Sequence, residues 1–373
     1  MNFVKPHLVA SLLVASGLVL AAASSSQSAN SPLFSDLDQF VLFTEEEMTF
    51  EQDVQISSGD LGANGKLDIQ KEVTINGNLF ADKIAIDKDS QVNGNASYNR
   101  LDIKKESKIL GTQTEPVQLP IAPLPEIPSF AVGTQDFKFA GQNNALATGS
   151  YRDVTVEKDG RLILNGSTYN FRKLELKENS ILIFSSPTIL NVKEELRAQQ
   201  NVSIVPAANN LQPTDLEVRY VGTKPIEFGK RVFLNFKLMA PEASVQIGEE
   251  TTLRGQILAR KIRIKKDSVV SRELSGVKIA KQEEIITDPG GGVYPINILL
   301  VSLTPDATLE DALKVAQSIN GRIVGNVSSI NLYQIEVQTR TIEELEDIIN
   351  TVRSRTDLKL DGVFRDYLLP IDV

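Results

Sequence analysis

What this chain lacks narrows its chemistry before any motif is sought. Its 373 residues include no cysteine and no tryptophan, and the one histidine is His7. Without cysteine there is neither a disulfide framework nor a thiol for lipid attachment, so stability has to come from packing. Without tryptophan, a sugar platform would depend on tyrosine or phenylalanine. The start of the chain has Lys5, an apolar run from about Leu8 to Ala22 and the small residues Ala21-Ala22-Ala23-Ser24. That is the layout of a secretory signal peptide over residues 1–23, so the chain is expected to be exported, to the cell surface, the periplasm or the medium. His7 then leaves with the leader. Ser-His-Asp and Cys-His nucleophile systems and the usual zinc sites are excluded together.

Other classes fall on the same kind of evidence. No later run approaches the eighteen or so apolar residues of a membrane span. The net charge is -9 and the pI about 5.0, which gives nucleic acid no electrostatic footing. There is no Walker loop, dinucleotide fingerprint or calcium-binding loop, and Gly290-Gly291-Gly292 is too short to cradle phosphate. No cofactor, metal site or catalytic residue is expected. Ser275 and Lys278 match a Ser-x-x-Lys spacing but lack the companion motifs of the enzymes that use it. Asp68, Asp87, Asp89 and Asp102 recur along the chain, and Asp153, Glu157 and Asp159 cluster later. Interleaved with lysines, such acids read as a solvated face that keeps strands from pairing with other chains.

What is present is a repeat. From Lys66 to Gln113 the chain nearly repeats every seventeen residues, aligning Leu67, Ile84 and Leu101; Ile69, Ile86 and Ile103; Ile75, Val92 and Ile109; and Gly77, Gly94 and Gly111. A fixed period with short alternating strand signals describes stacked coils whose inward side chains form ladders. The alternative is an antiparallel meander, because Asn76-Gly77 and Asn93-Gly94 are also hairpin signals. Val54, Ile56, Gly59 and Leu61 form an imperfect coil before the regular ones, suited to a terminal cap. Residues 115–130 contain five prolines and read as an excursion or linker. Strand signals resume in Leu162/Leu164, Ile181/Ile183, Leu196/Ala198 and Val202/Ile204, and the seventeen-residue spacing returns in Val245/Ile262 and Ile247/Ile264.

The C-terminal part changes period. After the glycine-rich stretch 281–293, a strand near Ile298, a helix capped by Thr308, strands over 322–327 and 331–337, a helix with a Thr341/Glu344 capping box and a strand over 358–368 follow in order. The fold class expected is mainly β: a right-handed β-solenoid followed by a small ferredoxin-like α+β domain of order βαββαβ. The organisation is a leader (1–23), a flexible lead-in (24–40), solenoid parts (41–113 and 131–280) around a proline-rich linker (114–130), a linker (281–293) and the α+β domain (294–373). The two solenoid parts form either one interrupted stack or two.

Two family resemblances add to this reading. The NGN coils, the break ending in IPSF, the pair GSYRDVTV and GSTYNF, and MAPEASVQIGEETTLRGQILARKIRI resemble the bactofilin-like, polymer-forming β-helical repeats of exported bacterial proteins. That likeness implies a non-catalytic surface scaffold, sometimes self-associating, with cell-surface components as partners. The stretch ILLVSLTPDATLEDALKVAQSINGRIVGNVSSINLYQIEV with TIEELEDIINTVRSRTDLKLDGVF resembles the propeptide-inhibitor domain of subtilisin-type proteases. It implies a subtilisin-type protease as partner, with Arg365, Asp366, Tyr367, Leu368 and Leu369 entering the protease cleft. The function expected is an exported structural or interaction protein presenting a C-terminal protein-binding module. A protease inhibitor and a carbohydrate-active β-helix enzyme are the alternatives.

Overall fold

In the computed structural model, residues 32–368 are described except 36, 208–210, 273–277, 279, 281 and 328–329. The leader read over 1–23 and the serine-rich stretch after it lie outside the described residues. The seventeen-residue columns are parallel strand registers: Leu67, Ile84 and Leu101 are successive partners, as are Ile69, Ile86 and Ile103. Ile75, Val92 and Ile109 follow the same rule. A meander would have paired these strands antiparallel, so the Asn-Gly steps are not hairpins. The glycine column exists because layers touch there: a Cβ on Gly94 would sit 2.2 Å from the Gly77 carbonyl oxygen, and one on Gly77 2.1 Å from that of Gly59.

A turn contributes a longer strand and a short one, illustrated by Leu79–Ile86 and Gln91–Val92. Alternate residues point into one continuous apolar core, in which Leu79, Ile84, Ile86 and Val92 are fully shielded. The corner before the short strand needs a left-handed residue. Asp53, Glu72, Asp89, Glu106, Asp159, Asn179, Asn201, Arg231, Glu250 and Asp267 supply it, with φ between 55° and 70°. Several of these corners are followed by a hydroxyl that bridges layers: Ser90 Oγ accepts from Val73 N–H at 3.1 Å and Ser268 Oγ from Thr251 N–H at 3.2 Å.

The layers are not stacked in chain order. Strand Phe40–Phe50 pairs with Asp60–Ile69 on one side and with Thr252–Ile264 on the other. The first coil therefore sits inside the stack, and the expectation of a terminal cap is overturned. From it the chain climbs to Ala96–Ile103 at one end, crosses to Phe137–Phe139 at the opposite end, and winds back until Thr252–Ile264 closes on the first coil. The result is one β-solenoid of about 12 turns.

This order explains the prolines. About twelve layers at ~4.8 Å make a stack roughly 50 Å tall, and the 22 residues from 115 to 136 reach about 65 Å at ~3.1 Å each if extended. Proline favours that extended form and presents no surplus N–H groups to satisfy. The strap is anchored on the way: Val117 N–H donates to Asn99 Oδ1 at 3.0 Å, Ile121 N–H to Asn64 Oδ1 at 2.7 Å, and Arg152 N–H at the far end to Gln135 O at 2.8 Å. Its Val117, Ile121 and Ala122 bury against Phe40, Phe43, Met239 and Leu258, all on the outside of the stack. Leu33 and Phe34 N–H groups hydrogen-bond to the strap at Pro120 O and Ile121 O, so this part of the lead-in is packed rather than loose.

The glycine-rich stretch is a hairpin, not an unstructured joint. Ile285–Thr287 pairs antiparallel with Val293–Pro295, and Asp288 Oδ1 accepts the Gly290 and Gly292 N–H groups at 2.9 Å each, an aspartate-capped turn. Beyond it lie strand Ile298–Leu303, helix α1 (Leu309–Ser318), strands Arg322–Val327 and Leu332–Glu336, helix α2 (Ile342–Arg353) and strand Leu360–Arg365. The four strands form an antiparallel sheet in the order second, third, first, fourth. Both helices begin where the sequence places them, α1 after the Thr308 N-cap, which forms a capping box with Asp311, and α2 at the Thr341/Glu344 capping box.

This unit shares a core with the solenoid. Ile183, Val205 and Phe233 point outward from the stack and bury with Leu313, Ala316, Ile323 and Tyr333. In the strand Ile181–Phe184 the alternating signal Ile181/Ile183 is not the inward one. The inward pair is Leu182 and Phe184, and the isoleucines meet the C-terminal unit. A strand apolar on both faces shows no alternation, so its parity is unreadable. Burying the three outward side chains contributes about 1.5–3 kcal/mol apiece. Thr252 Oγ1 donating to Ile323 O at 2.8 Å and Arg322 Nη1 donating to Asp267 O at 2.7 Å fix the orientation.

Candidate binding cleft between the solenoid and the C-terminal unit

Where the C-terminal unit meets the corner ladder it leaves a cleft of about 850 Å³. Asp53, Glu72 and Asp89 line one wall, Thr339, Arg340 and Glu344 the other. A second cleft of about 480 Å³ opens between the C-terminal end of α1, at Gln317, with Asn320 just beyond it, and the corner residues Asn179 and Asn201. Arg322 and Glu336 border both.

Glu336 is the pivot. It closes strand Leu332–Glu336, is almost wholly buried, and is held between Lys278 Nζ and Arg322 Nε. Burial pushes its carboxyl up, but the Arg322 and Lys278 charges and their hydrogen bonds outweigh this and hold it below the usual carboxylate range. A carboxylate so held stays ionised near neutral pH and is not a proton donor there. Arg254 is buried nearby, 5.2 Å over the Phe233 ring, and no carboxylate among the described residues pairs with it. Desolvation pulls its guanidinium down to about 10.

The acids singled out from sequence do not converge. Asp68 pairs with Lys66 at 3.1 Å and Asp102 with Lys104 at 3.3 Å. Asp153 takes two bonds from Arg172, Glu157 pairs with Lys177 at 2.6 Å and Asp159 accepts from Asn179 at 2.8 Å. Asp87 accepts from the Lys88 N–H at 2.9 Å, and only Asp89 reaches the larger cleft. No group of three or more Asp, Glu, His or Cys among the described residues is placed to hold a metal ion. Ser275 lies outside the described residues, and Lys278 is the partner of Glu336, not of a nucleophile.

Residues 365–368 are tied back into their own unit. Arg365 binds Glu346 Oε1 and Asp288 Oδ2, each at 2.6 Å, and covers the Tyr294 ring at 4.7 Å; the Glu346 bond first, and the neighbouring charges, raise its pKa. Asp366 accepts from Gln334 Nε2 at 2.6 Å, and burial lifts its carboxyl above the usual range. Tyr367 packs edge-on against Tyr294 and stays half exposed, while Leu368 N–H donates to Val293 O at 2.8 Å. Leu369 lies outside the described residues.

The cleft was not legible in sequence, because its walls come from segments more than 200 residues apart. The left-handed corners left a faint trace. Asp89-Ser90, Glu106-Ser107, Asn179-Ser180, Glu250-Thr251 and Asp267-Ser268 place a polar residue before a hydroxyl at five of the ten corners.

No family model matches the chain, and no curated protein matches it. Solved structures do. One is an ice-binding protein from the Antarctic ascomycete Antarctomyces psychrotrophicus, 14% identical over 65% of this chain and 99% of that one, with a TM-score of 0.29. Another is the ice-binding protein_1 DUF3494 domain of Shewanella frigidimarina, 15% identical over 65% and 99%, with a TM-score of 0.30. A third is the ice-binding protein LeIBP from an Arctic yeast, 11% identical over 68% and 100%, with a TM-score of 0.30 and antifreeze activity in its description. None of the three is described as an enzyme. These findings give no support to the bactofilin-like and propeptide-inhibitor resemblances, and both fail. Degenerate apolar columns recur in any stacked coil, which is why the first misled. Arg365, Asp366, Tyr367 and Leu368, which the second would send into a protease cleft, are engaged within the unit itself. No helix among the described residues is long and apolar enough to cross a membrane.

Proposed function

We propose that this chain is an exported, non-catalytic structural and interaction protein, a β-solenoid scaffold with a ferredoxin-like βαββαβ module fixed to its side for contact with cell-surface components. The observation that carries the reading is the state of the charged side chains along the stack. They pair from layer to layer, as in Asp153 with Arg172, Glu157 with Lys177, Glu46 with Arg260 and Lys261, and Glu51 with Arg263. A surface organised in this way is solvated, and these acids and bases are engaged with one another. The strand and helix order of the C-terminal unit and its sheet order support the ferredoxin-like assignment.

Ice binding is a property of the neighbouring structures and is not carried over to this chain. The outward columns here hold paired lysine, arginine, aspartate and glutamate, whose hydration would have to be stripped to seat them on a crystal surface. The test is to incubate the purified chain with isolated cell-wall polysaccharide, following co-sedimentation and the release of reducing ends. Saturable binding without release is expected. Steady release of reducing ends, or no binding to any wall fraction, contradicts the proposal.

A further inference from the structure

Among the described residues the two ends of the stack are open, and they match. At one end the last full layer is Ala96–Ile103 with Lys108–Ile109; the only described strand beyond it, Gln113–Thr114, covers Ala96 and Ser97 alone. Ile103 and Leu110 are 39% and 60% exposed there, and Leu101 and Ile109 are only partly buried. At the opposite end the last layer is Phe137–Phe139 with Asn144–Leu146, where the rings of Phe137 and Phe139 stack 5.9 Å apart and remain partly exposed. An uncapped solenoid end joins apolar core to a row of unpaired backbone groups, a template for another strand.

The register says which strand fits. Leu101 and Phe137 terminate the same inward column, traced through Ile84, Leu67, Met48, Ile262, Val245, Ile226, Leu196, Leu174 and Val154. Ile103 and Phe139 terminate the next inward column, and Asp102 and Lys138 the outward column between them. Arg100 ends the flanking outward column, whose other end is the position of Asp136. One further layer in register would set Phe137 on Leu101 and Phe139 on Ile103, with Lys138 facing Asp102 and Asp136 facing Arg100. Both charge contacts are complementary. The pairs these residues make now, Asp102 with Lys104 and Arg152 with Asp136, are solvent-exposed and so exchange at little cost.

We propose that copies of this chain associate head to tail, the Phe137–Phe139 end of one adding a layer to the Ala96–Ile103 end of the next. The contact is between different surfaces and does not close on itself, so it propagates into short filaments. The inference rests on the scaffold reading and names its partner as a second copy.

The absence of cysteine makes the test clean. In register, residues 102 and 138 of adjacent copies lie about 5 Å apart at Cα, within disulfide range. Asp102→Cys and Lys138→Cys chains, each at high concentration under mild oxidation, are compared alone and mixed. The mixture is expected to give about tenfold more cross-linked dimer than either alone, and the double variant a ladder of oligomers. Ile103→Asp, at an exposed position, is expected to reduce sedimenting oligomers while its melting temperature stays near the parent value. A chain that remains monomeric in the ultracentrifuge, or Asp102→Cys that cross-links with itself as well as with Lys138→Cys, overturns the proposal. A monomer that still binds wall polysaccharide without turnover would sink this inference and leave the scaffold reading standing.

Discussion

Gly94→Ala should destabilise the solenoid even though the backbone there is not left-handed. A Cβ at this position lies 2.2 Å from Gly77 O and 2.5 Å from Gly77 C, while real Cβ atoms essentially never approach closer than 3.0 Å. The layers must therefore part by at least 3.0 − 2.2 = 0.8 Å. Two ladder bonds flank the contact, Asn93 N–H to Ile75 O and Leu79 N–H to Asn95 O, both 2.8 Å. Opening them by that amount takes them past useful hydrogen-bond length. At about 1 kcal/mol each, with the Asn95 N–H to Asn78 Oδ1 bond also weakened, the cost is about 2–3 kcal/mol. Differential scanning calorimetry should show a fall of about 5 °C. Gly141→Ala is the control, since its φ is +76° but nothing lies within 4 Å of the added carbon. It should cost only the left-handed penalty of about 1 kcal/mol. A Gly94→Ala chain as stable as the parent, or less affected than Gly141→Ala, would refute the stacked-layer explanation of the glycine column.

Three further outcomes follow from the junction. Glu336→Gln leaves Lys278 and Arg322 buried without their counter-charge and should cost about 3–5 kcal/mol in urea unfolding at pH 7. Because the folded-state pKa of Glu336 is depressed, its contribution is present above its unfolded value near 4.5 and is lost as pH falls through the folded value; the variant's acid unfolding limb should be correspondingly flatter. Arg254→Met replaces a buried cation that no described carboxylate pairs with and should stabilise by about 1–3 kcal/mol; a loss of stability would show that Arg254 anchors the interface. Ile183→Asp should release the C-terminal unit, seen as faster amide exchange across 298–365 with the Leu79–Ile86 strand unchanged; unchanged exchange in both would remove the shared core from the account.

Much of the stack was legible because a seventeen-residue period survives wherever every turn buries the same columns, as at Ile69, Ile86 and Ile103. The helices of the C-terminal unit were legible through the Thr308 N-cap and the Thr341/Glu344 capping box. The order of the layers was not. Nothing in strand Phe40–Phe50 announces that its second neighbour is Thr252–Ile264, because parallel pairing between distant segments has no local signature. The parity of Ile181–Phe184 was hidden for a related reason: a second unit covers its outer face, so polar residues never mark the outside. The cleft inherits both difficulties, since Asp53, Glu250 and Glu336 meet only after the stack closes and the C-terminal unit docks.

The central claim is that the first coil is locked inside the stack against the last. Thr49 and Arg263 are direct partners on adjacent strands, and both side chains point outward. Spin labels on cysteines placed at these two positions of the cysteine-free chain should show a single narrow pulsed-dipolar distance below about 20 Å, from strands ~5 Å apart plus the label arms. A distribution centred near 50 Å, the separation roughly ten layers would give if the coils were stacked in chain order, would contradict it.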